Sequence, residues 1–173
     1  RYSTLSRTML QYQPDKKLLE LKKSSVEVCP YYEFDVQKFY AAPSPAQILE
    51  CLSLPQDKAC LLGKRTDGTT FLLITIKEGG VWKMESMIED WEKVVSWLPG
   101  KLLNADTKDY KMFTLYAMTY FLFYRDGELI YCDLTGKEYT PDKACEELVN
   151  EVNRMNLYQE KVKEMKSKTD TDL

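Results

Sequence analysis

An α+β fold, with an antiparallel sheet of about five strands, helices packed on it and a long C-terminal helix, follows from three features of the sequence. Two Asp-Gly pairs, Asp67-Gly68 and Asp126-Gly127, sit between apolar runs, where the glycine accepts the positive φ of a tight hairpin turn. Thr114–Tyr124 is the densest run of strand formers in the chain, with Tyr, Phe and Thr at most positions. After Thr140-Pro141, apolar residues recur at helical spacing instead.

Residues 1–43 read as an N-terminal helix/strand extension, and residues 44–173 as a core domain in the order α-β-β-β-α-β-β-α. In the extension, Pro14-Asp15 can open a helix with Leu18, Leu19 and Leu21. Its lysines, Lys16, Lys17, Lys22 and Lys23, read as a solvated face. Val26–Cys29 alternates like a strand until Pro30, which marks an edge or a loop, and Tyr31–Val36 resumes it. Tyr31, Tyr32, Phe34, Phe39 and Tyr40 form an aromatic cluster. With Glu33 and Asp35 among them and no interleaved Arg, packing is the better reading than a platform for stacked bases.

Ala41–Pro45 is the seam between the two parts. Ser44 as N-cap and Pro45 in the first turn start a helix with Ile48, Leu49 and Leu52 on one side, and Pro55 stops it. Strands follow over 60–62, 70–77 and 81–87, turning at Asp67-Gly68 and Gly79-Gly80 to make a meander. A helix over 89–98 has acids in its first turn and buries Trp91, Val94, Val95 and Leu98. Pro99-Gly100 ends it. In the Tyr-rich hairpin, Tyr116, Tyr120 and Tyr124 share parity with Met118 and Leu122, while Leu115, Ala117, Phe121 and Phe123 point the other way. Both faces of that strand are therefore expected to be covered. In the final helix, Cys145, Leu148, Val149, Val152, Met155, Val162 and Met165 keep helical spacing. Beyond Asn156 it is strongly charged, so its last turns should project from the domain.

Composition excludes much chemistry. Histidine is absent, which removes the commonest general base, the Ser-His and Cys-His pairs and every His-containing zinc site. No Gly-rich phosphate cradle and no calcium loop occurs. No catalytic residue, cofactor or metal is assigned, and the balance tilts away from an enzyme. A net charge of -3 and a pI near 5.2 argue against a broad nucleic-acid-binding face, and no apolar run reaches membrane-spanning length. The five cysteines, Cys29, Cys51, Cys60, Cys132 and Cys145, are scattered and odd in number. They read as buried, reduced thiols in a reducing intracellular compartment, the cytoplasm. Arg1–Arg7 is basic, rich in hydroxyls and free of acids, like the end of a mitochondrial or chloroplast transit peptide, so organelle import is the alternative.

Three smaller signals complete the inventory. The carboxylate groups Glu89/Asp90/Glu92 and Glu146/Glu147/Glu151 already have structural reasons to stand at helix starts. Asp133, with Arg125 and Lys137, would form a polar site at the end of the hairpin. Thr171-Asp172-Leu173 fits the tail pattern that edge-strand peptide-binding domains capture.

From Ser44 onward the order helix, three strands, helix, two strands, helix resembles that of bacterial type III secretion chaperones. The resemblance implies a small acidic α+β protein that dimerises and binds a segment of a partner; it rests on element order alone. The leading expectation is a non-enzymatic protein-interaction or assembly component. It would meet a protein partner or a second copy through an aromatic sheet face, with Tyr116, Tyr120, Tyr124 and Trp82 at the contact. The alternatives are the chaperone-like dimer and a small-ligand binder or enzyme with a pocket of Tyr and carboxylates.

Overall fold

The structure is a computed structural model and describes residues 25–171. The helix expected from Asp15, its lysines, the Arg1–Arg7 segment and the last two residues of the tail pattern lie outside the described residues.

The class is α+β, with the strands divided between two sheets. β1 (Ser25–Val28), β4 (Lys58–Lys64), β5 (Thr70–Glu78) and β6 (Val81–Glu89) form a four-stranded sheet in the order β1-β4-β5-β6. β2 (Tyr31–Phe34), β3 (Leu52–Ser53), β7 (Lys111–Leu115), β8 (Met118–Arg125), β9 (Glu128–Asp133) and β10 (Glu138–Tyr139) form a six-stranded sheet in the order β10-β9-β8-β7-β2-β3. Pairing is antiparallel except between β2 and β7. The chain crosses from the first sheet to the second at Cys29-Pro30. Proline brings no N–H to the ladder, and the Cys29 carbonyl turns to accept the Tyr31 N–H at 2.7 Å.

The six-stranded sheet is the middle layer. On one face Phe113, Leu115, Tyr120, Leu122 and Tyr131 pack against α1 (Val36–Ala41), α2 (Pro45–Glu50) and the first half of α5 (Pro141–Thr171). On the other, Met112, Phe121, Phe123 and Cys132 pack on α3 (Trp91–Val94), α4 (Leu98–Leu103) and Cys60 and Leu72 of the four-stranded sheet. Phe121 is the hub of that side, its ring 5.2 Å from Trp97 edge-on and 6.0 Å from Tyr110. The expectation of cover on both faces thus holds, and both covers are supplied by the chain itself.

Local chemistry explains most element boundaries. The Ser44 hydroxyl accepts the Gln47 N–H at 3.2 Å, and Thr140 does the same for Lys143 at 3.2 Å, so α2 and α5 begin where their caps place them. Asp126 (φ 53°) and Gly127 (φ 76°) make the primed turn that a two-residue hairpin needs. Both of their N–H groups also donate to the Asp106 carboxylate, at 2.7 and 2.9 Å.

Four sequence expectations are corrected. Thr114–Tyr124 is two strands, because the chain reverses at Tyr116-Ala117 with Tyr116 at φ 52°. Glycine is the usual residue at such a position, so the turn carries no sequence signal. The helix over 89–98 is two short helices. Glu89 belongs to β6 and pairs with Arg65 at 2.9 Å, and Pro99 sits in the first turn of α4 instead of ending a helix. Asp35 caps α1 by accepting the Lys38 N–H at 3.0 Å, so the strand expected to run to Val36 stops at Phe34. The helix expected to continue to Leu54 ends at Glu50, because Leu52-Ser53 pairs with β2.

Burial raises the phenols of Tyr120 and Tyr131 above the ordinary tyrosine value. The unfolded chain loses these protons near pH 10 while the folded chain keeps them, so it binds fewer protons than the native state above that pH. Stability is therefore expected to be unaffected by these groups below about pH 10 and to fall as pH rises beyond it. Urea midpoints measured across the alkaline range check this, and a flat profile would contradict it.

Candidate functional site

The four aromatic residues singled out in the sequence do not converge. Tyr116 occupies the β7–β8 turn and is 45% exposed, while Tyr124, at the far end of β8, is 49% exposed. Trp82 belongs to the other sheet, half-buried on β6 with the Lys77 ammonium 5.9 Å from its ring. Tyr120 is 1% exposed, its ring 5.7 Å from Phe113 and 5.9 Å from Tyr139. A contact with another molecule through Tyr120 is excluded in this fold, because α5 covers the face it points to.

The polar site at the hairpin's end is a turn organiser. Asp133 Oδ1 accepts the Thr135 N–H (2.9 Å), the Thr135 hydroxyl (2.6 Å) and the Lys137 N–H (3.1 Å), and Oδ2 accepts the Tyr139 hydroxyl at 3.0 Å. Partial burial raises its carboxyl, but hydrogen bonds from Thr135, Tyr139 and Lys137 more than offset this and hold it below the usual range. Nearby, Glu138 bridges Arg125 at 2.7 Å and Lys101 at 3.3 Å in a cleft lined by Trp97, Gly100 and Asn104. The hydrogen bond from Arg125 leads the effects that hold the Glu138 carboxyl low as well. A general acid needs a raised carboxyl, and both of these are lowered, so the pairs read as structural.

Asp133 also sets an acid dependence. Its folded value lies below the unfolded one, so its contribution is present above about pH 4 and disappears as pH falls through the folded value. Asp133→Asn should therefore cost about 1–2 kcal/mol at pH 7 and progressively less as pH falls below about 4. Equal losses above and below that pH would refute the assignment.

Among the described residues, the second half of α5 carries a run of exposed apolar side chains, beside single ones elsewhere such as Leu54 and Leu103. Ala144, Cys145, Leu148, Glu151 and Val152 are buried, and past Val152 only Met155 and Val162 are as much as half-buried. Near the departure point the Tyr40 hydroxyl donates to the Asn153 side chain, and the Arg154 guanidinium forks onto Glu151, with Nε at 3.0 Å. From Asn156 to Thr171 the helix runs on for about 24 Å at 1.5 Å per residue. Along it Met155, Tyr158, Val162 and Met165 alternate at three- and four-residue steps, the a and d spacing of a coiled-coil seam. Tyr158 is 60% and Met165 68% exposed. Lys161, Lys166 and Lys168 occupy the flanking g and e positions, while Glu160, Glu164 and Asp170 fall on the outer face. The flanks carry no acid from Gln159 to Lys168, while the back mixes these acids with Lys163 and the exposed Leu157.

Sequence reasoning anticipated that these turns project, but it read the apolar residues only as helical spacing and omitted Tyr158. The discriminating signal was the 3.5-residue repeat with one sign of charge at its flanks, which becomes visible only when residues are assigned to heptad positions. Among the described residues no group of three or more His, Cys, Asp or Glu could hold a metal ion, and no helix is long and apolar enough to cross a membrane. No protein-family model, curated protein or solved structure matches this chain.

Proposed function

We propose that this protein is a protein-interaction component that captures a partner helix on the projecting half of α5. The observation that carries this reading is the Met155–Tyr158–Val162–Met165 seam, with Tyr158 and Met165 exposed, Met155 and Val162 half-buried, and lysines on both flanks. The first half of α5 is clamped in the core, so the second half enters the encounter already helical and binding costs little ordering entropy. Charge selects the occupant. In a parallel pair of identical chains Lys161 faces Lys166, and in an antiparallel pair lysine again faces lysine, so a second copy is disfavoured. An amphipathic helix with acidic e and g positions complements it. The seam is narrow, has acids on its back and lacks Trp and Phe, which favours a helix over an anionic membrane surface.

The seam is short, so affinity should be modest, with Kd on the order of 10–100 µM. The chain alone should sediment as a monomer at micromolar concentration. Val162→Asp with Met165→Asp should abolish capture of an acidic heptad peptide and leave the melting temperature within about 1 °C, because neither side chain belongs to the core. A tight homodimer dissolved by these substitutions would replace the partner-helix reading with self-association. Binding to phosphatidylserine vesicles without binding to the peptide would replace it with a membrane contact.

A further inference from the structure

A second site lies where the chain crosses between the sheets. β1 and β4 pair antiparallel with Val28 opposite Leu61, which sets Cys29 opposite Cys60 at the next step of the ladder. The Cys29 N–H donates to the Cys60 carbonyl at 2.8 Å, one step beyond the last paired residues, while the Cys29 carbonyl is taken by Tyr31. Opposed residues of this kind have Cα atoms about 5.5 Å apart, inside the range a disulfide spans. Cys29 and Cys60 belong to one buried cluster, with Tyr110 packed against it. Both residues are nearly covered, Cys29 at 5% and Cys60 at 1% exposure, and what access they have is from one side. Cys29 and Cys60 both line a cleft of about 520 Å³ shared with Lys58, Lys77 and Trp82. All five cysteines are buried, and Cys51, Cys132 and Cys145 are not among the residues that line this cleft.

We propose that Cys29 and Cys60 form a reversible cross-strand dithiol–disulfide site that exchanges with small disulfides entering through the Lys58/Lys77 cleft. Cys29 attacks first. Its thiolate displaces one thiolate from the disulfide RS–SR and becomes a mixed disulfide. Cys60 then loses its proton to solvent and attacks the Cys29 sulfur, expelling the second RS⁻. In net terms two protein thiols are oxidised to one disulfide, and RS–SR is reduced to two RSH. Cys29 is the more exposed of the two, so it meets the incoming disulfide first. The hydrogen bond from Cys60 leads the effects that hold Cys29 below the ordinary thiol value, against burial and with help from Tyr110, whereas the same contact pushes Cys60 up. A thiolate is the nucleophile in such exchange. Lys77 at the cleft favours an anionic disulfide such as oxidised glutathione, whereas Lys58 is already paired with Glu85 at 3.6 Å.

The test is incubation of the folded full chain with oxidised glutathione, followed by acid quench, alkylation and peptide mass spectrometry. The expected result is loss of two of the five thiols with a Cys29–Cys60 linked peptide, reversed by dithiothreitol. Cys60→Ser should accumulate the glutathione adduct on Cys29, and Cys29→Ser should acquire none at Cys60. The proposal is overturned if the folded chain yields no linked peptide, or if Cys51, Cys132 or Cys145 reacts ahead of Cys29. The wild-type arm decides the matter even if a serine variant does not fold.

Discussion

Replacing Tyr120 with Ala will lower stability by about 3–5 kcal/mol, the cost of emptying a fully buried aromatic position. The ring lies between Phe113, Tyr131 and Tyr139 beneath α5, with 1% of its surface exposed. Small domains hold about 5–15 kcal/mol in total, so the variant should sit near the edge of folding, with a large drop in urea midpoint. Tyr124→Ala, half-exposed on the same strand, should change stability by no more than about 0.5 kcal/mol. The contrast separates core from surface among tyrosines that the sequence places on one face. Equal effects at the two positions would contradict the packing described.

Gly63→Ala is the second large effect. Gly63 pairs directly with Phe71 across β4 and β5, and the Phe71 ring lies over it. A Cβ there would come within 2.0 Å of the Phe71 ring tip. Phe71 is 2% exposed and has the Arg65 guanidinium 4.7 Å from its ring centre, so the ring cannot simply swing aside. Overpacking of this kind costs about 1–3 kcal/mol. A smaller partner should recover part of it: Gly63→Ala with Phe71→Leu should be less destabilised than the sum of the single changes, since contacting sites couple. Strict additivity in urea unfolding would show that the ring is not what the methyl meets.

How far the sequence reached differs between fold and site. Asp67-Gly68, Asp126-Gly127, Ser44-Pro45 and Thr140-Pro141 each carry a local conformational rule, and the elements they bound stand where those residues place them. Tyr116-Ala117 carries no such rule. The reversal there is imposed by the pairing of β7 with β8 and by the covers on both faces of the sheet, and with it the one-face alignment of three tyrosines breaks. The division into two sheets was equally hidden. It depends on Cys29-Pro30 sending β1 to β4 and β2 to β7, contacts distant in sequence. The candidate contact surface was half legible, since the charge beyond Asn156 pointed to projecting turns. Whether Tyr158 and Met165 are covered is decided by where the body ends, near Val152.

The central claim is that the basic-flanked seam of α5 selects an acidic helix. The direct measurement is calorimetric titration of the full chain with two synthetic heptad peptides, both with Leu at a and d, one with Glu and the other with Lys at e and g. The account predicts binding of the Glu peptide on the order of 10–100 µM, weakened by added salt, and no detectable binding of the Lys peptide. Equal affinity for both, or none for either, would contradict it.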